Sequence, residues 1–190
     1  MLRRIMIIGS GGAGKSTFAR RLGRALGREV VHLDALYWRA GWVEPPKDEW
    51  AQRVAELARG ESWIIDGNYG GTMDIRLAAC DTVIFLDMPR VLCVWRILKR
   101  IALYRKGSRP DLPDGCDERI DREFIKYVWN YPRSRRPKIL EKLKALSAEK
   151  TVVHLRSGKD VEGFLSRLAL SGTGLRETAR GLTAQDEVLR

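Results

Sequence analysis

Short apolar runs alternate with longer amphipathic stretches along the first 170 residues. The runs at 5–8, 30–33, 63–65, 82–86 and 151–155 are almost uninterrupted, which is typical of strands buried on both faces of a parallel sheet. Between these runs, apolar residues recur every three or four positions, as they do in helices that pack on one face. The alternation predicts an α/β fold with three layers, in which a five-stranded parallel sheet lies between helices.

The amphipathic stretches predict seven helices. The first has its apolar face at Phe18, Leu22 and Leu26. The others are expected at residues 45–59, 73–79, 89–106, 117–130, 137–147 and 161–168. Tyr131 and Pro132 are expected to end the helix at 117–130, because proline lacks the N–H group that a helix needs. The segment 107–115 is rich in glycine, proline and aspartate, which predicts a mobile loop.

A chain of 190 residues is long enough for one α/β domain with a true core and too short for two. We expect this domain at residues 1–170, followed by a flexible tail at 171–190. No apolar run approaches the roughly 20 residues of a membrane span, and the first strand starts too early for a removable signal. Cys80, Cys93 and Cys116 form no disulfide or zinc pattern, so reduced thiols and a cytoplasmic location are expected.

The net charge of +11 is unevenly distributed along the chain. Residues 90–142 contain 15 Lys and Arg against 7 Asp and Glu, which accounts for most of the excess. A basic segment of this kind suits either nucleic acid or the phosphates of a small ligand. No RNP or zinc-finger pattern accompanies it, so nucleic acid is not the favoured partner.

The most specific motif is the sequence Gly-Ser-Gly-Gly-Ala-Gly-Lys-Ser-Thr at residues 9–17, which fits the phosphate-loop pattern GxxxxGK[S/T]. It follows an apolar strand and opens a helix, so backbone N–H groups and the helix N-terminus can face an anion. Lys15 can then reach the β- and γ-phosphates of a nucleotide, and Ser16 can ligate Mg²⁺. The residues expected to hold the nucleotide are Gly9, Ser10, Gly11, Gly12, Ala13, Gly14, Lys15, Ser16 and Thr17.

Three of the predicted strands end in a carboxylate, at Asp34, Asp66 and Asp87. Because ligands of an open α/β sheet bind beyond the carboxyl ends of the strands, these acids and the phosphate loop are expected to share one crevice. His32 and His154 are expected to be strand residues rather than catalysts.

The order of these motifs resembles the small P-loop kinases related to adenylate kinase and shikimate kinase. The segments at 32–38, 63–69 and 85–90 also look like those of the P-loop proteins named DNA topology modulation proteins. The likeness covers roughly residues 3–168. It implies the three-layer α/β/α fold of the P-loop NTPases with a helical lid at about 105–136.

The resemblance to adenylate kinases implies a site for ATP and Mg²⁺. It places Asp66 in the metal shell together with Ser16, and it places Arg96 and Arg100 on the ATP. The lid is expected to add cations over the phosphates, and the candidates are Arg119, Arg122, Arg133, Arg135 and Arg136. Such cations suit phosphoryl transfer, which is catalysed by positioning and charge stabilisation. Lys15, Arg100 and Arg135 are therefore the expected catalytic cations.

An acceptor region is expected at about residues 34–60. By the likeness to shikimate kinases, Asp34 orients or deprotonates an acceptor hydroxyl, and Arg76 anchors an anionic group on the acceptor. Tyr37 and Trp38, with Trp42, either stack on a ring of the acceptor or pack against the core and the lid.

Two departures from adenylate kinase count against AMP as the acceptor. Gly70 stands where those kinases have an arginine, and an aromatic segment at 35–43 replaces their Thr-Gly-Asp motif. The leading hypothesis is an ATP- and Mg²⁺-dependent kinase of an unidentified small molecule, nucleotide-like or hydroxyl-bearing. The alternatives are a nucleic-acid-associated ATPase, suggested by the basic segment, and a regulatory ATP-binding module.

Overall fold

The computed structural model describes residues 2–104, 116, 121–146 and 148–170. Five parallel strands form its central sheet, in the order β2-β3-β1-β4-β5. They are β1 (Arg4–Gly9), β2 (Val30–His32), β3 (Trp63–Asp66), β4 (Thr82–Leu86) and β5 (Thr151–Leu155). Because β1 is the central strand, the phosphate loop leaves the middle of the sheet.

Eight α-helices in the described residues connect and cover the strands. They are α1 (Lys15–Leu26), α2 (Leu33–Tyr37), α3 (Lys47–Ala58), α4 (Met73–Ala79), α5 (Arg90–Leu103), α6 (Arg122–Ser134), α7 (Arg136–Leu146) and α8 (Gly158–Leu170). A 3₁₀ turn at Gly70–Thr72 precedes α4.

Alternate residues of β1 point into two separate apolar clusters. Ile5 and Ile7 pack with residues of α1, α5 and α8 on one face of the sheet, while Met6 and Ile8 pack with residues of α3, α4 and α7 on the other. The sheet is therefore buried on both faces, as its continuous apolar runs predict. This arrangement confirms the predicted three-layer α/β/α fold of the P-loop NTPases.

Three predicted boundaries are wrong, namely the end of the second strand and both ends of α6. The second strand ends at His32, so Asp34 lies in the first turn of α2 instead of at a strand end. Helix α6 runs through Pro132 to Ser134 instead of ending before it. Val128 and Tyr131 anchor α6 to the two apolar clusters, and this packing outweighs the roughly 3 kcal/mol that a proline costs inside a helix.

The start of α6 also differs from the predicted one. Asp121 is its N-cap and accepts a hydrogen bond from the Phe124 backbone N–H at 3.0 Å, so the helix begins at Arg122. The predicted loop at 107–115, Arg119 and the predicted tail at 171–190 lie outside the described residues.

The three cysteines are free and buried, as predicted for reduced thiols. Within the part of the chain that the structure describes, no helix combines the length and the apolar character that a membrane crossing requires.

Candidate active site

A cavity of about 1070 Å³ lies at the carboxyl ends of the strands. Its walls come from the segments that follow β1, β2, β3 and β4, and from α1, α5, α6 and α8. The phosphate loop from Gly11 to Thr17 lines it, as do Asp34, Arg96 and Arg100. The structure thus brings together both predicted α5 arginines, one of the three predicted carboxylates and most of the predicted phosphate loop; Gly9, Ser10, Asp66 and Asp87 do not line the cavity.

The phosphate loop needs glycine at positions where the backbone is left-handed and tightly packed. Gly12 has φ +74°, and a Cβ there would lie 2.2 Å from the carbonyl oxygen of Cys93 on α5. Gly14, the residue before α1, has φ +93°. Lys15 opens α1, and its Nζ donates to the Ser10 carbonyl oxygen at 3.0 Å. The loop therefore holds its ammonium group at the helix N-terminus, where an anion is favoured.

Helix α5 lies against the phosphate loop and contributes the two predicted arginines. Arg96 Nη1 donates to the Ala13 carbonyl oxygen at 3.0 Å, and both Arg96 and Arg100 are half-buried in the cavity wall. Two further cations of the wall, Arg20 and Arg21 on α1, were not predicted. Five cations of the described residues therefore line the cavity, and one of them, Arg21, is paired with Glu162.

Asn68 is a site residue that the sequence analysis missed. Its Nδ2 donates to the Gly9 carbonyl oxygen at 2.6 Å, and its Oδ1 accepts from the Gly9 N–H at 2.9 Å. The side chain thus fixes the first residue of the phosphate loop from the segment that follows β3. The only available signal was its position directly after Asp66-Gly67.

Asp34 also lines the cavity, and it accepts a hydrogen bond from the Tyr69 hydroxyl at 2.7 Å. Burial and the neighbouring Asp34 carboxylate raise the pKa of Tyr69 above its ordinary value, so this hydroxyl stays protonated and donates. Tyr69 has φ +35°, a left-handed conformation that is rare for a large side chain. The segment after β3 therefore contacts the phosphate loop through Asn68 and the carboxylate through Tyr69.

Arg76 does not occupy the predicted position of an acceptor anchor. Its side chain is fully buried, and its guanidinium donates to the carbonyl oxygens of Gly67, Asn68 and Tyr69. Burial lowers the pKa of Arg76 to about 10, so the group is charged at neutral pH. Arg76 is not among the residues that line the cavity; it holds the segment after β3 in place from beneath.

Aromatic side chains form most of the wall around Asp34. Tyr37 contacts Trp38, Trp50 and Tyr69 at ring-centroid distances of 4.9, 5.0 and 4.6 Å, and Trp38 contacts Trp42 at 5.2 Å. Trp50 is buried, whereas Tyr37, Trp38 and Trp42 are half-buried and line the cavity. The structure therefore gives these three residues both core packing and a face on the cavity.

The two predicted metal residues belong to different elements, Ser16 to the first turn of α1 and Asp66 to the end of β3. Ser16 lines the cavity. Asp66, the last residue of β3, is 4% exposed; its Oδ2 lies 2.9 Å from His32 Nδ1, and its Oδ1 has no hydrogen-bond partner in the described structure. Mg²⁺ in phosphate sites keeps several waters and uses one or two carboxylates. A hydroxyl together with an unsatisfied carboxylate oxygen fits a metal held partly through water.

The described lid arginines do not line the cavity. Arg136 binds Asp87, and the Arg135 guanidinium lies 6.0 Å from the centre of the Tyr127 ring on an exposed part of α6 and α7. Arg122 and Arg133 are exposed on α6. The catalytic role of Arg135 stays a prediction that this arrangement does not support.

Asp87, the third predicted carboxylate, is engaged outside the cavity. Arg136 Nε donates to both of its carboxylate oxygens, at 2.9 and 2.8 Å, and His154 Nε2 lies 2.9 Å from Oδ2. Burial by itself would raise the pKa of Asp87, but the hydrogen bonds from His154 and Arg136 hold it below its ordinary value. Asp87 therefore joins the end of β4 to β5 and α7.

This ion-pair cluster predicts a specific dependence of stability on pH. The pKa of Asp87 is lower in the folded than in the unfolded chain. The ionised carboxylate therefore stabilises the folded protein above about pH 4, and this stabilisation is lost as the pH falls through the pKa of the folded state. Asp87→Asn is expected to lower Tm at pH 7 and to flatten the acid-induced loss of Tm. Thermal unfolding between pH 3 and pH 7 measures both effects. Asp48→Asn, an exposed substitution on α3, should show the same dependence of Tm on pH as the parent protein. If Tm of Asp87→Asn also fell with pH in parallel with the parent, ionised Asp87 would not be the group that stabilises the fold.

Comparison with known proteins gives likenesses of fold only. No protein-family model matches the chain, and no curated protein matches it. Among solved structures it is similar to deoxyadenosine kinase from M. mycoides with bound dCTP, at 15% identity and TM-score 0.44, covering 86% of this chain and 97% of that one. The same enzyme with bound dATP gives 17% identity and TM-score 0.46 over 86% and 98% of the two chains.

A sugar kinase from Janibacter sp., solved without ligand, is similar at 17% identity and TM-score 0.46 over 96% of this chain and 98% of that one. The resemblance to DNA topology modulation proteins stays a prediction, since no family model matches. The function of this chain is therefore inferred from its own residues.

Proposed function

We propose that this chain is an ATP-dependent kinase that transfers the γ-phosphate of ATP to a hydroxyl group of a small molecule. One observation carries the proposal: the phosphate loop with Lys15 and the carboxylate of Asp34 line the same cavity. A phosphate cradle alone would serve any ATPase. A carboxylate in the same cavity as the phosphate loop supplies the group that a kinase needs to orient an acceptor hydroxyl.

In this proposal the acceptor oxygen forms a bond to the γ-phosphorus, and the bond between that phosphorus and the bridging oxygen breaks, releasing ADP. The acceptor hydroxyl passes its proton to Asp34. Lys15 and the α5 arginines Arg96 and Arg100 stabilise the charge on the transferring group and on the leaving phosphate. Mg²⁺ held at Ser16 and, through water, at Asp66 would neutralise charge between the phosphates.

The direct test is transfer of labelled γ-phosphate from ATP and Mg²⁺ to a panel of nucleosides, nucleoside monophosphates, sugars, sugar acids and shikimate. A labelled product that disappears in Lys15→Met supports a kinase and identifies the acceptor. Release of free phosphate at one rate with every panel member, and no labelled acceptor, would contradict the kinase proposal and favour a regulatory ATPase.

Asp34→Asn is expected to lower kcat for transfer by about 10²- to 10⁴-fold, because the amide accepts a hydrogen bond from Tyr69 but cannot take the acceptor proton. KM for ATP should stay within about twofold, since Asp34 belongs to α2 and not to the phosphate loop or α5, which are proposed to hold the ATP. Steady-state kinetics with the acceptor found in the panel measures both constants. Asp48→Asn is the matched control. An unchanged kcat in Asp34→Asn would show that the Asp34 carboxylate takes no part in phosphoryl transfer.

A second candidate function is favoured by exposed aromatic residues within the basic segment. Trp95 on α5 and Trp129 on α6 are 55% and 44% exposed, with Lys99 Nζ 5.2 Å and the Arg90 guanidinium 4.3 Å from the respective ring centres. Aromatic rings beside cations bind single-stranded nucleic acid through stacking and phosphate contacts. Fluorescence anisotropy with a labelled oligonucleotide at 50 and 200 mM salt tests this function. If the chain binds nucleic acid, its affinity for the oligonucleotide should be lower at the higher salt concentration and lower in Trp129→Ala than in the parent.

A further inference from the structure

The cations and the carboxylates that line the cavity come from different segments of the chain. Every described cation that lines it belongs to α1 or α5: Lys15, Arg20, Arg21, Arg96 and Arg100. Arg21 is paired with Glu162 of α8, which lines the cavity as Asp121 does. The segment between β2 and α3 contributes two carboxylates instead, Asp34 and Glu44. We call the residues Asp34, Tyr37, Trp38, Trp42, Glu44 and Tyr69 the acceptor wall. Among the described residues, this wall has no cation.

Two nearby arginines are committed elsewhere. Arg76 is fully buried beneath the segment after β3 and donates to three backbone carbonyls. Arg39 is exposed, forms an ion pair with Glu49 on α3, and does not line the cavity. Both guanidinium groups therefore have partners outside the cavity, and neither lines the acceptor wall.

The remaining surface of the acceptor wall is aromatic. Tyr37, Trp38 and Trp42 are half-buried, and the Trp38 ring contacts the rings of both Tyr37 and Trp42, so packing holds these rings in place. Burial and a hydrogen bond to Glu44 raise the pKa of the Tyr37 hydroxyl. This hydroxyl therefore donates a hydrogen bond to the Glu44 carboxylate. Fixed aromatic faces bind flat or apolar rings and attract cations, whereas they repel anions.

These observations bear on the class of acceptor, and the inference rests on the proposed kinase function. We infer that the acceptor is a ring-bearing hydroxyl compound without negative charge, neutral or cationic. Its ring packs on Trp38 and Trp42, its reacting hydroxyl faces Asp34, and a second hydroxyl or amine meets Glu44. A phosphate or carboxylate on the acceptor would be brought close to the carboxylates of Asp34 and Glu44, and this repulsion between like charges is unfavourable.

The test uses pairs of compounds that differ by one anionic group, namely adenosine with AMP, cytidine with CMP, and glucose with glucuronic acid. Binding to the full chain is measured by calorimetry in the presence of ADP and Mg²⁺, and transfer is measured separately with labelled ATP. We expect at least one uncharged member to bind tenfold or more tightly than its anionic partner. The same member is expected to be the better acceptor.

A charge reversal on the wall sharpens the test. Glu44 is exposed, so Glu44→Arg should fold, and it is expected to tighten binding of the anionic member of the preferred pair by tenfold or more. Glu56→Arg, an exposed change on α3 away from the cavity, is the matched control and should leave both affinities unchanged.

The inference and the kinase proposal fail in different ways. Preference for the anionic members, or no binding by any uncharged member, overturns the acceptor class, even if labelled product is found. Tight binding of an uncharged member with no labelled product overturns the kinase proposal and supports the ligand class.

Discussion

Lys15→Met is expected to lower kcat for phosphoryl transfer by about 10³-fold while leaving the fold intact. Lys15 lines the cavity at the N-terminus of α1, and its Nζ donates to a carbonyl of its own loop at 3.0 Å. In the reaction this ammonium group would move to the phosphates, where it balances charge that develops in the transition state. Methionine keeps the length of the side chain and removes the charge.

The measurement compares kcat, Tm and ADP affinity of the parent and the variant. Lys138→Met, an exposed lysine of α7 outside the cavity, is the matched control and should retain full activity. Transfer at more than one tenth of the parent rate would show that Lys15 does not act on the transferred group. A large drop in Tm would instead assign Lys15 a structural role.

Arg76→Met is expected to lower the free energy of unfolding by about 3–5 kcal/mol, the largest stability effect that we predict. The substitution leaves the carbonyl oxygens of Gly67, Asn68 and Tyr69 without their donor in a buried place. These residues place Asn68 on the phosphate loop and Tyr69 on Asp34, so activity is expected to fall as well.

Urea unfolding followed by circular dichroism measures the stability change. Arg53→Met, an exposed arginine on α3, should stay within about 0.5 kcal/mol of the parent. Arg76→Lys keeps the charge but lacks the planar fork that reaches three carbonyls, so it should recover only part of the loss. Full stability in Arg76→Met would show that the segment after β3 holds its conformation without the guanidinium.

The central sheet could be predicted from sequence because each buried strand is marked by its own short apolar run. The phosphate loop could be predicted because the pattern depends on residues that are close together in the chain. Asp34 lines the cavity although it lies in α2 and not at a strand end, since either position follows β2 at the same edge of the sheet.

The errors concern contacts between residues that are distant in sequence. A pattern cannot show that Arg76 turns inward to three carbonyls, because an arginine on a short helix looks the same whether it is buried or exposed. The bonds from Asn68 to Gly9 connect positions 59 residues apart. Likewise, the passage of α6 through Pro132 depends on the burial of Val128 and Tyr131, which tertiary packing decides.

The described chain has two non-glycine residues with positive φ, Trp42 at +64° and Tyr69 at +35°, and both line the cavity. Each such conformation costs on the order of 1–3 kcal/mol of conformational free energy. Among the described residues, this backbone strain at non-glycine positions is therefore located in the acceptor wall. Selection for heat resistance alone would therefore favour glycine or asparagine at these two positions. Natural relatives that keep large aromatic residues there, despite that cost, would be the ones in which selection has preserved the shape of the wall.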